Sequence, residues 1–249
     1  MKFKDLINYL DEQFPKSLSV SWDNDGVEVC VDYNLEIGRT LIALDVTFEA
    51  IDYAITHGYN CILSHHPMIY DPIKKLDLSN STSKKAVMLA RHNICAASFH
   101  TRLDAVSGGV NECFINALGI AGSVELLYED NIPIGRLVTL GEEVSLPDFA
   151  GGIKNNRAYG NKKVKKIGVV AGSGMDFAET AAKMGADTFL TGEGKYHSIL
   201  DAYESYNINI ITAGHFETEV VVLPFIKEKI LEQFPDAKVD CFTGENWQA

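Results

Sequence analysis

Cys61-Ile62-Leu63-Ser64-His65-His66-Pro67 is a short apolar run that ends in two adjacent histidines and a proline. Bounded by Asn60 and Pro67, it reads as a buried strand, so the histidines stand where that strand leaves its sheet. Ligands collect at such carboxyl ends in open α/β sheets. Neighbouring side chains on a flat strand point to opposite faces, so the two imidazoles reach one place only if the chain turns there. At a turning strand end they can serve two neighbouring ions, and imidazoles beside carboxylates suit zinc, iron, manganese or nickel. An isolated His-His pair is more often one hydrogen-bonded core histidine and one surface histidine, so the surrounding chain has to decide.

Working outward, a regular rhythm appears. Strands are expected at 40–46, 60–64 and 94–99, separated by helices at 48–56 and 84–91 and followed by a helix at 107–118. Ahead of them, Phe3, Leu6, Ile7 and Leu10 mark a first helix closed by Pro15. Residues 124–163 have a different texture, with one strand near 133–140 and a loop-rich polar stretch. The rhythm then returns, with strands at 166–170, 188–191 and 208–212 and helices at 177–183, 196–206 and 217–234. Alternation of this kind predicts parallel strands joined by right-handed crossovers.

The two series form an internal repeat. Cys61-Ile62-Leu63-Ser64-His65-His66 matches Thr188-Phe189-Leu190-Thr191-Gly192-Glu193, and Ala96 to Asp104 matches Ile211 to Glu219. Each repeat therefore ends its third strand with a histidine and, four residues on, a carboxylate: His100 with Asp104, His215 with Glu219. Residues i and i+4 share a face where the chain turns helical. If the repeats face each other, His65, His66, His100, Asp104, His215 and Glu219 converge into a set able to hold two metal ions, one carboxylate bridging. The expected fold is thus α/β, two similar α/β domains formed by an internal repeat, with the metal site at the domain interface. The first domain spans 1–123, completed by the C-terminal helix of about 219–249, and the second spans 124–218.

Composition narrows the function. With 22 Lys plus Arg against 34 Asp plus Glu, the chain carries a net charge of −12, which on average repels nucleic acid and anionic membranes. Lys162-Lys163-Val164-Lys165-Lys166 is the one basic run and reads as a solvated strand edge that discourages pairing. The charged start Met1-Lys2-Phe3-Lys4-Asp5 is unlike a signal peptide, and no stretch approaches a membrane span. Cys30, Cys61, Cys95, Cys113 and Cys241 are odd in number, widely spaced and mostly inside apolar runs, as reduced thiols of a cytoplasmic protein would be. His57 and His92 sit in last helical turns, where a cation meets the negative helix end; His197 reads equally as a group behind the site or a surface residue. Gly172-Ser173-Gly174 reads as a tight turn before a phosphate cradle, and Trp22 in Ser21-Trp22-Asp23-Asn24-Asp25-Gly26 as the aromatic cover of a structural turn.

At these residues the chain resembles a known family, the dinuclear-metal proteins named GTP cyclohydrolase I type 2 homologs, or NGG1-interacting-factor-three-like proteins. The matching stretches are Trp22 to Gly26, Ala43-Leu44-Asp45-Val46-Thr47, Ser64-His65-His66-Pro67, His100 to Asp104, Gly172-Ser173-Gly174, Gly185-Ala186-Asp187, Thr191-Gly192-Glu193 and Gly214 to Glu219, in order over nearly the whole chain. Asp25 and Cys30 stand where that family more often has small or apolar residues, and the long inserted domain of some members is absent. The resemblance implies two metal ions held by His65, His66, Asp104, His215 and Glu219, with Glu219 bridging and His100 standing behind the ligands. It also implies a ring-shaped homohexamer, a trimer of dimers, with the sites facing an internal cavity.

The function expected on this basis is a metal-dependent hydrolase acting on a small molecule, with a nucleotide and GTP-type ring opening suggested by the family label. Glu193 is the candidate proton shuttle and Asp45 the candidate to orient a ligand histidine. A non-enzymatic metal carrier or interaction protein would use the same ligands.

Overall fold

The computed structural model describes residues 1–129 and 131–244. The chain divides into two compact units, Met1–Leu103 with Leu223–Ala249, and Asp104–Val222.

The first unit opens with α1 (Phe3–Gln13), whose Phe3, Leu6, Ile7 and Leu10 are buried as their helical spacing requires. It continues through β1 (Gly26–Val29), β2 (Arg39–Ala43), α2 (Phe48–His57), β3 (Cys61–Ser64), α3 (Ser81–Arg91) and β4 (Cys95–Ser98), and α4 (Thr101–Ala105) carries the chain across the boundary. The second unit holds α5 (Val110–Ala117), β5 (Gly122–Glu129), β6 (Ile132–Val144), α6 (Leu146–Gly151), β7 (Arg157–Tyr159), β8 (Val164–Val170), α7 (Ala178–Lys183), β9 (Thr188–Thr191), α8 (Tyr196–Tyr206), β10 (Asn209–Thr212) and α9 (His215–Glu219). The chain then returns to the first unit with α10 (Leu223–Gln233) and β11 (Lys238–Phe242).

Among the described residues the first sheet runs β1-β4-β3-β2-β11 and the second β5-β6-β8-β9-β10-β7. At the heart of each lie three adjacent parallel strands, β2-β3-β4 and β8-β9-β10, flanked by an antiparallel edge strand, β1 beside β4 and β7 beside β10. The repeat read from the sequence is therefore a repeat of sheet topology. Both faces of the central strands are apolar, as parallel strands covered by helices must be. β3 and β9 are buried along their whole lengths. Leu41, Ile51, Ile62, Leu89 and Ala96 pack in one core, and Phe114, Val138, Ile167, Leu190 and Ile211 in the other.

This topology bears on three expectations. The junction expected near residue 124 falls inside β5; the chain passes into the second unit at Asp104 because α5 buries Phe114 and Ile115 in that unit's core. The C-terminal segment does join the first unit, but through β11 pairing in parallel with β2 as well as through α10; the expected helix end at 245–249 lies outside the described residues. The lysine run is no sheet edge, since β8 is paired on both sides, and its charges are tied locally: Lys163 to Glu143 at 3.5 Å, Lys166 to Glu125 at 3.1 Å, and Lys165 Nζ to the Gly141 carbonyl at 2.7 Å.

Glu28, on β1, turns inward. Its Oε1 accepts the Ile69 N–H at 2.5 Å, and its Oε2 is buried with no hydrogen-bond partner among the described residues. Burial pushes this carboxyl up to about 7, against the opposing Ile69 and Met68 N–H groups and with the Asp25 charge adding to the rise. A carboxyl raised in the folded state keeps a proton that the unfolded chain has released. Stability therefore falls as pH rises from the ordinary carboxyl range to about 7, and stays lower above it. Glu28→Gln should abolish this decline, gaining about 1–3 kcal/mol over the parent at pH 8 and little at pH 4.5. Urea midpoints at the two pH values check it; an equal gain at both would show that Glu28 is not the titrating group.

Candidate metal centre

Register brings the first group of site residues together. Ala43 pairs with Ser64 and Ser64 with Ser98, so β2, β3 and β4 end level and Asp45, His65, His66 and His100 leave the sheet side by side. The ladder continues past the strand ends, with His65 N–H donating to Ala43 O, His66 N–H to Leu44 O and Phe99 N–H to Ser64 O. The backbone is thus held while the side chains turn outward. Ring centroids lie 4.8 Å apart for His65 and His66, 5.2 Å for His65 and His100, and 5.6 Å for His66 and His100. His65 is fully buried, and the other two rings are largely covered.

Each ring is fixed at Nδ1 by an acceptor. His65 Nδ1 lies 3.1 Å from Phe99 O, His66 Nδ1 2.9 Å from Asp45 Oδ1, and His100 Nδ1 2.9 Å from Asp23 Oδ1. Carbonyl and carboxylate oxygens can only accept, so each Nδ1 carries a proton, and Nε2 is the atom with a lone pair to offer whenever the ring is neutral. This is the arrangement that orients metal-binding histidines and raises their basicity. The three rings form a group that could hold a metal ion, which fits the donor chemistry read from the sequence.

Asp23 is the residue that sequence reasoning missed. Its side chain is completely buried, and besides His100 it accepts the Thr101 N–H at 3.0 Å and hydroxyl at 2.6 Å. Burial alone would raise this carboxyl, but the His100 and Thr101 bonds and the His100 charge outweigh it and hold it at about 2. Next to it, Asp25 accepts from Ser19 and, at 2.6 Å, from Arg102 Nε. The carboxylates of the Trp-Asp-Asn-Asp stretch were visible in the sequence; their partners, 77 residues away, were not.

The second unit repeats the design. Val170, Thr191 and Thr212 are level in register, and Glu193 and His215 leave beyond them. His215 sits one residue farther from its strand end than His100 does, and Gly214, at φ 88°, takes up the extra residue. His215 Nδ1 lies 3.1 Å from Glu193 Oε1, and its Nε2 lies 3.0 Å from Glu219 Oε2. Glu219 is almost wholly buried, one helical turn along α9. His215 and Glu219 thus meet through the atoms that a metal would take, and ligation would displace the proton between them. Gly172, at φ 62°, has to be glycine: a Cβ there would overlap the Glu219 carboxylate and lie 3.2 Å from His215 Nε2. Its N–H donates to Thr218 Oγ1 and its carbonyl accepts from Glu193 N–H, while Gly174 N–H donates to Thr191 Oγ1. Those amides serve the protein's own turn, not a phosphate.

Asp104 stays among the residues that could hold a metal ion, while the other histidines separate from them. Asp104 is half-buried on α4, its carbonyl accepting from Asn111. His57 stacks on Tyr53 at 4.0 Å with Nδ1 on the Tyr53 carbonyl, a helix-end role. His92 and His197 are exposed. Trp22 does not cover core; its side chain is 58% exposed.

A family model described as Duf34/NIF3 (NGG1p interacting factor 3) matches residues 1–246. A Clostridium acetobutylicum protein named GTP cyclohydrolase 1 type 2 homolog is 35% identical over 232 residues, covering 88% of this chain and 85% of that protein. The crystal structure of Staphylococcus aureus hypothetical protein SA1388 is similar at a TM-score of 0.87 and 26% identity, covering 100% of this chain and 99% of that one. Reduced HcgD from Methanocaldococcus jannaschii is similar at a TM-score of 0.84 and 28% identity, covering 97% of each chain. No helix among the described residues is long and apolar enough to cross a membrane.

Proposed function

Because the chain belongs to the Duf34/NIF3 (NGG1p interacting factor 3) family, we propose that it is a metal-dependent hydrolase that holds two divalent first-row transition ions. The ligands are His65, His66, Asp104, His215 and Glu219, with Glu219 shared. The observation that carries this reading is the fixing of four histidines at Nδ1 by Phe99 O, Asp45, Asp23 and Glu193. A buried histidine needs one partner for its N–H whichever nitrogen carries it; metal ligands have a reason to use the same nitrogen four times, at strand ends.

Bound there, the ions would acidify a water and polarise an electrophilic carbon or phosphorus. The protein's own groups do the rest. Asp45 and Glu193 hold the tautomers of His66 and His215. Glu193, with its side chain 55% exposed, can also pass a proton between His215 and solvent. His100, fixed at Nδ1 by Asp23 but outside the proposed set, stands behind the ligands. The relatives' name, GTP cyclohydrolase 1 type 2 homolog, makes guanine nucleotides the first compounds to try. The subunits are proposed to form a closed homohexamer in the cytoplasm, where the buried Cys61 and Cys95 remain thiols.

Metal analysis of the purified protein should find about two ions per chain, and a hydrolase screen over phosphoesters, nucleotides and amides should find turnover that His65→Ala abolishes. Metal bound without turnover of any of these would make the protein a carrier. Light scattering should give roughly six times the 27.4 kDa chain mass; a mass of one chain across a wide concentration range would rule out the ring.

A further inference from the structure

An exposed tryptophan held by buried anchors is unusual, because an indole left in water forgoes the stabilisation that burial of its apolar surface brings. Trp22 is 58% exposed and Tyr70 51%. Their ring centroids lie 6.4 Å apart at an interplanar angle of 50°, and Trp22 also meets His100 edge to face at 6.2 Å. The two aromatics are therefore an open pair beside the histidine cluster, not a closed stack.

Neither loop is loose. Asp23, next to Trp22, is completely buried on His100 and Thr101; Val20 N–H donates to Thr101 Oγ1 at 3.1 Å; and Asn24 Nδ2 bridges to the Ile69 carbonyl at 2.5 Å, tying the two aromatic-bearing loops together. Beyond Tyr70 a cleft of about 530 Å³ continues the surface, lined by Met68 and Ile73 and, for the larger part, by polar and charged residues such as Asp71, Lys74 and Lys75. That volume lies within the range of small-molecule sites. Folding has fixed the indole with more than half of its surface open, against Tyr70 and His100 at the rim of the candidate centre.

We propose that Trp22 and Tyr70 form a stacking platform for a planar heteroaromatic ring, and that the substrate handled by the histidine cluster carries such a ring. A face of Trp22 would take the ring by stacking while Tyr70, inclined to it, closes on the ring edge. Stacking is tolerant of ring identity, so the platform fixes a class of substrate, and polar contacts elsewhere choose within it. The substrate assignment rests on the metal-centre reading of the preceding section, whereas ring binding itself does not.

The test compares guanosine monophosphate with ribose 5-phosphate, the same molecule without its ring, by calorimetric titration of the metal-loaded and the metal-stripped protein. The parent should bind the nucleotide more tightly in both forms. Trp22→Ala should reduce the ratio of the two affinities roughly 5- to 150-fold, the range that stacking spans. Trp22→Phe should keep most of the ratio, Tyr70→Ala should lower it, and metal content should stay at the parental value in all three. A parental ratio near one, or a ratio unchanged in Trp22→Ala and Tyr70→Ala, overturns the platform even where metal binds normally. A ratio unchanged while Trp22→Ala lowers the oligomer mass overturns it too and assigns the indole to a contact between copies. Ring binding in a parent protein that holds no metal would instead sink the metal reading and leave the platform standing. Should Trp22→Ala fail to fold, Tyr70→Ala and Trp22→Phe decide alone.

Discussion

Shortening Glu219 to aspartate is expected to disturb both metal ions at once, whereas Asp104→Asn should weaken mainly one. The reason lies in what surrounds each carboxylate. Glu219 is almost wholly buried on α9, which is pinned where Gly172 N–H donates to Thr218 Oγ1 at 3.0 Å and Thr218 Oγ1 donates to His215 O at 2.9 Å. A backbone held this firmly cannot advance to replace a missing methylene, and the Gly172 turn has no side chain that could fill the space. Partners one step removed from a metal typically change affinity 10–100-fold, so loss of a shared ligand should cost at least roughly 100-fold for each ion. Ions that bind only the native state stabilise it by RT ln(1 + [L]/Kd), so at a metal concentration near 100 times the parental Kd a 100-fold weakening should forfeit about 2.3 kcal/mol of thermal protection for each ion. Metal stoichiometry and metal-dependent Tm for Glu219→Asp, Glu219→Gln and Asp104→Asn check this. Equal losses of a single ion in the Glu219 and Asp104 variants would mean that Glu219 is not shared.

The second large effect concerns stability alone. Asp25→Ala should destabilise the protein by about 3–5 kcal/mol, because it strands a buried guanidinium. Arg102 is 1% exposed; its Nε lies 2.6 Å from Asp25 Oδ2, while its Nη1 reaches Asp11 and the Phe14 carbonyl. Asp11 is nearly half exposed and cannot stand in for a partner as buried as the guanidinium itself. Asp25→Leu combined with Arg102→Met should recover most of the loss, since replacing both members of a buried pair by apolar groups is commonly neutral or stabilising. Denaturant melts of the single and double variants measure this, and a single variant within 1 kcal/mol of the parent would show that Asp11 and Phe14 suffice. The pair also accounts for an acidic residue at position 25.

Much of this was legible in the chain itself. Apolar runs ending in His65-His66 and in Thr191-Gly192-Glu193, with a histidine and a carboxylate four residues on at His100–Asp104 and His215–Glu219, are local patterns. A strand's burial and a short helix's i, i+4 face are properties of a few consecutive residues, so the sequence by itself determined two copies of one α/β motif and the residue types at their strand ends. Tertiary structure alone decided what those residues are attached to. Asp23 holds His100 across 77 positions, and Arg102 reaches Asp25 over the same separation. α5 and β11 join their units through packing and pairing that no local periodicity encodes. Trp22 reads like any core aromatic, because exposure is a property of the neighbours and not of the residue. His100 is indistinguishable from its companions only once register has levelled the strands, since Nδ1 partners are chosen in three dimensions. Short-range spacing fixes which chemistry is present; long-range hydrogen bonds fix which atom of each side chain performs it.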